Sequence, residues 1–163
     1  MSIEPSTDDV FEMAEQIEHD ACSFYRQAAA SMPDPACRSV LLDLASMEGE
    51  HEQVFATIKA QPAAPGGPGP GLELADGAAS SWPSVAQLFA SGVREDLARR
   101  FTGRETRAEI LQKAIEFEKD SLAFFLSARN LLTDPEGRRR IDALLNEELG
   151  HILTLTGRLA SPM

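Results

Sequence analysis

The chain carries an internal duplication, which constrains its fold more than any single motif. When the sequence is displaced by 100 residues, residues 14–51 align with residues 114–151 without a gap, and 11 of the 38 positions are identical. Unrelated segments of this composition would share about two or three. The identities include an Asp-Pro dipeptide, at 34–35 and again at 134–135. The two halves are therefore predicted to be copies of one structural unit.

Capping signals divide each copy into two helices. Asp34-Pro35 and Asp134-Pro135 each place a capping carboxylate before a proline at the first helical position. Thr106 and Glu109 have the spacing of a capping box. A first helix is expected over 7–31, and the others are expected to begin near 35, 106 and 135. The connections within each half are short, so each half is predicted to be an antiparallel hairpin.

The segment between the halves is predicted to be a long crossover. Gln61–Gly71 is too rich in proline and glycine for a regular element. Apolar residues four apart predict a weaker helix from Ser84 to Phe101, in a packing or dimer-contact role rather than a substrate-binding one. Helices of about 25 residues are roughly 37 Å long, and residues 61–105 are enough to span that length and join the second helix to a parallel third helix. We expect a single all-α domain, a four-helix bundle with an extra short helix in its crossover. Its parts are hairpin 7–60, linker and crossover 61–105, and hairpin 106–160.

Each predicted bundle helix has a core stripe in which apolar residues alternate at spacings of three and four. On helix 1, for example, Phe11, Ala14, Ala21, Tyr25 and Ala28 belong to the stripe. In every helix, ionisable residues occupy positions where the pattern demands apolar ones. These are Glu18, Glu48 with His51, Glu118, and Glu148 with His151.

Four buried carboxylates need compensation, because an isolated ionised carboxylate in an apolar core is costly and like charges add to that cost. No Lys or Arg lies near them on the stripes, whereas two divalent cations would balance four negative charges. One Glu from each of two helices and a Glu-x-x-His motif from each of the others is the ligand set of di-iron and di-manganese bundles. The six residues are therefore predicted metal ligands. A structural bundle whose polar core groups pair with one another is the alternative.

At these residues the sequence resembles the rubrerythrin and bacterioferritin branch of the ferritin-like superfamily. Residues 14–29 resemble a rubrerythrin-type first helix and residues 114–128 its counterpart in helix 3. Residues 47–51 (MEGEH) and 147–151 (EELGH) resemble the ligand motifs of helices 2 and 4. The resemblance implies a ferritin-like bundle that binds two iron ions, with manganese or a mixed pair left open. It also implies that Glu48 and Glu148 each serve one metal or lie next to the bridge, and that the two metals share Glu18 and Glu118.

The resemblance implies an oxidoreductase that acts on O2 or peroxide. Peroxide-reducing rubrerythrins usually carry paired CxxC motifs in a rubredoxin domain, and this sequence has no CxxC, so an external protein is expected to donate the electrons. They also carry a further carboxylate one turn beyond the helix-3 Glu, where this chain has Ser121. Iron oxidation with storage or sequestration remains the alternative function.

Tyr25 is a candidate catalytic residue beside the ligands, because its hydroxyl could hydrogen-bond a ligand carboxylate or carry an electron. A plain core aromatic is the competing interpretation. Asp20 and Asp120 lie two residues beyond predicted ligands, where they could orient a histidine or remain solvated. Cys22 and Cys37 are expected to be buried small residues.

The charge of the chain argues against two classes of partner. Twenty-six acidic residues against 15 basic ones give a formal net charge of −11, which repels nucleic acid and anionic membranes. No apolar run approaches the roughly 20 residues that span a bilayer. With no secretory signal pattern and only two cysteines, a cytoplasmic protein is expected, and a homodimer is the expected assembly.

Overall fold

The computed structural model describes residues 7–59, 102, 104–131 and 135–161. Within these ranges the chain forms four helices: α1 (Thr7–Ser31), α2 (Pro35–Lys59), α3 (Arg107–Leu131) and α4 (Pro135–Ala160). Each begins within one residue of its predicted start. The described residues contain no strand, so the predicted all-α class is confirmed.

The predicted capping interactions are present at two helix starts. At α2, Oδ1 of Asp34 accepts hydrogen bonds from the amides of Ala36 and Cys37, at 2.8 and 3.1 Å. At α3, the amide of Thr106 donates to Oε2 of Glu109 at 2.7 Å, and the amide of Glu109 donates to Oγ1 of Thr106 at 3.3 Å. Side-chain oxygens thus satisfy amides that have no partner within the helix.

Some predictions fall on residues that the structure does not describe. The helix predicted from Ser84 to Phe101, the Gln61–Gly71 linker and the Asp134 cap all lie outside the described residues. The division of the chain into hairpins and crossover therefore stays a prediction for residues 60–101.

The helices pack as two hairpins, α1 against α2 and α3 against α4. The hairpins then meet through α1 against α3 and α2 against α4. This arrangement turns all four predicted stripes towards one central core, and every stripe residue whose burial is described is buried. Pairs of aromatic rings on different helices fill the core on both sides of the buried glutamates and histidines. Phe24 stacks on Phe117 with ring centroids 5.1 Å apart, and Phe55 stacks on Phe125 at 5.9 Å.

Among the described helices, none combines the length and the apolar character that crossing a membrane requires.

Candidate metal centre

The six predicted ligand residues meet in the centre of the bundle. Periodicity turns each of them inward, because each lies on the inward stripe of its helix, and the packing of the helices brings them to one level. All are buried: the four glutamates are 1% exposed, His51 is 8% exposed and His151 is 3% exposed. The two imidazole rings face each other nearly in parallel, with centroids 6.0 Å apart and planes 18° apart. The structure thus brings together every residue of the predicted set.

The six side chains form two overlapping clusters, and in each the candidate ligand atoms lie within 4.8 Å of one another. The first cluster contains Glu18, Glu48, His51 and Glu148. The second contains Glu48, Glu118, Glu148 and His151.

Glu48 and Glu148 belong to both clusters, whereas the family resemblance implied that Glu18 and Glu118 are the shared pair. Nδ1 of His51 lies 3.2 Å from Glu48 and 3.5 Å from Glu148, and Nδ1 of His151 lies 3.0 Å from Glu48 and 3.5 Å from Glu148. Glu18 and Glu118 each approach the histidine of one cluster only, so the expectation that the two metals share them stays a prediction that these contacts do not favour. Since α2 and α4 pack against each other, their Glu-x-x-His motifs face one another across the centre.

The outer glutamates each accompany one histidine. Glu18 lies 3.8 Å from Nδ1 of His51, and Glu118 lies 3.4 Å from Nδ1 of His151. Each cluster therefore has its own carboxylate and imidazole, with two carboxylates held in common.

Several polar atoms at the centre are buried without a hydrogen-bond partner among the described residues. They include one oxygen of each of the four glutamates and both ring nitrogens of His151. Nδ1 of His151 is only 3.0 Å from Glu48, yet the two groups are not aligned for a hydrogen bond. Unpaired buried polar groups are rare because each costs free energy. Convergent carboxylate oxygens and imidazole nitrogens, several of them without a partner, fit a pair of divalent cations such as iron or manganese.

The pKa values of the outer glutamates show the electrostatic strain of the centre. Burial raises the pKa of Glu18 well above 4.5, and the charges of Glu48 and Glu148 raise it further. Burial likewise raises the pKa of Glu118 well above 4.5, with the same two charges adding to the effect. The contact of each with a histidine opposes the rise without cancelling it. Desolvation and like charge both favour the neutral acid here.

The other four groups share the remaining charge. Burial would lower the pKa of His51, but its contacts with the glutamates outweigh burial and raise the pKa far above 6.5. The same balance raises the pKa of His151 to about 12. Burial opposes ionisation of the shared glutamates, yet contacts with the two histidines lower the pKa of Glu48 and bring that of Glu148 to about 2. The contacts that raise the pKa values of the two histidines are thus the same ones that lower the pKa values of the shared glutamates.

Tyr25 lies at the edge of the centre, where the sequence placed it. Its side chain is fully buried, and its hydroxyl donates a hydrogen bond to Oε1 of Glu118. Burial, followed by the charge of Glu118, raises the pKa of Tyr25 well above 10, so the hydroxyl keeps its proton. Tyr25 therefore holds a carboxylate of the second cluster across the α1–α3 interface.

One contact of the centre escaped the sequence analysis. Oε2 of Glu147 lies 2.8 Å from Nε2 of His51, on the side of the ring away from the carboxylates. Glu147 is off the core stripe, and its side chain is 52% exposed, so the stripe pattern does not single it out. Its position directly before Glu148 was the one sequence feature that could have indicated this contact, because successive side chains of an α-helix are rotated by about 100° about the helix axis.

Other residues singled out from the sequence lie where they were expected. Cys22 and Cys37 are buried free thiols. Asp20 is partly buried and accepts a hydrogen bond from Gln16 at 2.8 Å, whereas Asp120 is exposed. Any part that these two aspartates have in orienting a histidine stays a prediction.

Comparison with known proteins supports the architecture. No protein-family model matches the chain, and no curated protein matches it. A solved structure from Thermotoga maritima, described as that of a ferritin-like diiron-carboxylate protein, superimposes with a TM-score of 0.66. The match covers 96% of this chain and 95% of the other at 19% sequence identity. The fold is ferritin-like. The superposition establishes the shared fold. Because the sequence identity is low, the function must be argued from the site.

Proposed function

We propose that this ferritin-like bundle binds two iron ions and uses them for redox chemistry on O2 or peroxide. One observation carries the proposal: the two overlapping clusters of buried carboxylates and imidazoles, with their unpaired oxygens. Glu18, Glu48, Glu148 and His51 would hold one ion, and Glu48, Glu148, Glu118 and His151 the other. The description of the Thermotoga structure as that of a diiron-carboxylate protein supports the choice of iron.

Oxygen-rich ligands with one imidazole per ion suit iron and manganese, and each cluster leaves coordination positions for a small molecule. Two ferrous ions held together supply two electrons at once, the number that reduces peroxide to two waters. The residues of the bundle core would exclude water from the reaction and hold the ligand oxygens in place. Tyr25 places a hydroxyl proton beside Glu118. An external protein would return the electrons.

Metal content tests the binding half of the proposal. Protein purified from cells grown with iron should carry two metal ions per chain, and the Glu48→Ala and Glu148→Ala variants should each lose metal from both clusters. Glu50→Ala is the matched control, because Glu50 is an exposed glutamate two residues from Glu48 on the same helix. Metal content in the Glu48→Ala and Glu148→Ala variants equal to that of the control would refute the ligand assignment.

Stoichiometry tests the redox half. Ferrous-loaded protein should consume one peroxide for every two iron ions oxidised, with two protons taken up to complete the two waters. Light scattering tests the storage alternative, since a homodimer near twice 17.7 kDa contradicts a self-assembled cage of many subunits. Iron that stays ferrous when peroxide or O2 is added would contradict an oxidoreductase.

A further inference from the structure

The two histidines of the centre have different surroundings behind them. His51 presents Nδ1 to the carboxylates, and its Nε2 lies 2.8 Å from Oε2 of Glu147. His151 also presents Nδ1 to the carboxylates, but its Nε2 is buried and has no hydrogen-bond partner among the described residues. The duplicated halves are therefore unequal at this point.

The sequence explains the difference. The residue that corresponds to Glu147 in the first half, 100 positions earlier, is Met47. Met47, Glu147 and His151 line one cavity of about 350 Å³ between α2 and α4. A thioether is only a weak hydrogen-bond acceptor. By the duplication, Met47 occupies the position from which a carboxylate could give His151 what Glu147 gives His51.

This difference bears directly on metal binding. An imidazole that binds a metal through Nδ1 must carry its proton on Nε2. An acceptor for that proton fixes the tautomer and the ring orientation, and it makes the other nitrogen a stronger ligand. Loss of such a partner typically lowers metal affinity about 10- to 100-fold.

We propose that the two metal positions are unequal, with the His51 position tighter by about 10- to 100-fold and the His151 position the exchangeable one. Glu147 is the positioning residue that sets this order, acting through His51. The inference rests on the proposed function, because it concerns the same pair of ions. It goes further by assigning the order in which they bind and the residue pair, Met47 and Glu147, that determines it.

The test determines which of the two positions a single metal ion occupies first. Metal-free protein is crystallised with one equivalent of Co²⁺, and anomalous scattering locates the ion, while competition with a chelator measures both affinities. In the wild type, the first ion should lie beside His51 and Glu18. In the E147M variant this preference should disappear. In the exchanged variant M47E/E147M the first ion should lie beside His151 and Glu118.

Two controls separate positioning from charge. E147Q keeps an acceptor for the Nε2 proton and removes the charge, so it should retain most of the preference that E147M loses. M47Q adds an acceptor without a charge, and it should tighten the His151 position. Both sites are on exposed or partly exposed side chains, which makes the variants compatible with folding.

Three results overturn the proposal. Equal occupancy of the two positions in the wild type would show that Glu147 sets no order, although the di-metal function would survive. Preference for His51 that persists in the exchanged variant would assign the order to something else. Absence of any bound Co²⁺ at the six ligands would refute the proposed function itself, and the inference with it.

Discussion

Metal binding should expel protons from the centre, and their number follows from the charges of its six groups. Without a cation, burial raises the pKa values of Glu18 and Glu118 well above 4.5, and contacts with the glutamates raise the pKa values of both histidines far above 6.5. Glu48 and Glu148 stay ionised. In the limiting case, both outer glutamates are neutral acids and both histidines are cations, so that two positive and two negative charges cancel. Two divalent cations with four carboxylates and two neutral imidazoles also sum to zero, so about four protons must leave.

A centre with ordinary pKa values would behave differently. At pH 7.5, glutamates near 4.5 would already be ionised, and each histidine near 6.5 would be only about one-tenth protonated. Binding of two ions would then release about 0.2 proton. The expected release is thus about twentyfold larger than the ordinary value.

The number can be measured by calorimetric titration of metal-free protein with Mn²⁺ in buffers of different ionisation enthalpy. The slope of the observed enthalpy against the buffer's enthalpy gives the protons released. A slope near four is expected. A slope near two would mean that only the imidazoles give up protons and that the carboxyl part of the reasoning is wrong, and a slope below about one would refute the charge balance.

Three further outcomes follow from the same contacts. Because protons compete with the ions, apparent affinity for Mn²⁺ should rise with pH between 6 and 8, and an affinity independent of pH would contradict this. Tyr25→Phe should lower the free energy of unfolding of the metal-free protein by about 1–2 kcal/mol in urea denaturation, because buried Glu118 loses its donor, and an unchanged value would show that the bond contributes nothing. Gly150→Ala should raise the free energy of unfolding of the metal-free protein by about 0.5–1 kcal/mol, because a Cβ at this position meets nothing within 4 Å and alanine favours the helix. A free energy of unfolding below that of the wild type would mean that the space beside Gly150 is already occupied.

Local chemistry made the helix boundaries and the buried stripe predictable. Asp34 before Pro35 and the Thr106–Glu109 box act within three residues, so sequence spacing determines their contacts. The burial of Glu18 follows from helical periodicity in the same way. Because Glu118 on α3 corresponds to Glu18 in the duplication, it was expected to be buried as well, and it is.

Contacts between distant segments could not be obtained in this way. His51 and Glu147 are 96 positions apart, and Tyr25 and Glu118 are 93 apart, so each pair depends on how two helices face each other. The sequence suggested that Tyr25 meets a ligand carboxylate without saying which one. The place of Glu48 in both clusters could not be predicted for the same reason, because it arises from the packing of α2 against α4.

The central claim is that the buried carboxylates and imidazoles hold two ions side by side. X-ray absorption spectra of iron-loaded protein test it most directly, because scattering from a second metal appears only when two ions are neighbours. The account predicts two iron ions per chain with a metal–metal distance of roughly 3.5–4 Å and a first shell of oxygen and nitrogen. Iron that shows no metal neighbour, or a sulfur-containing shell, would contradict it.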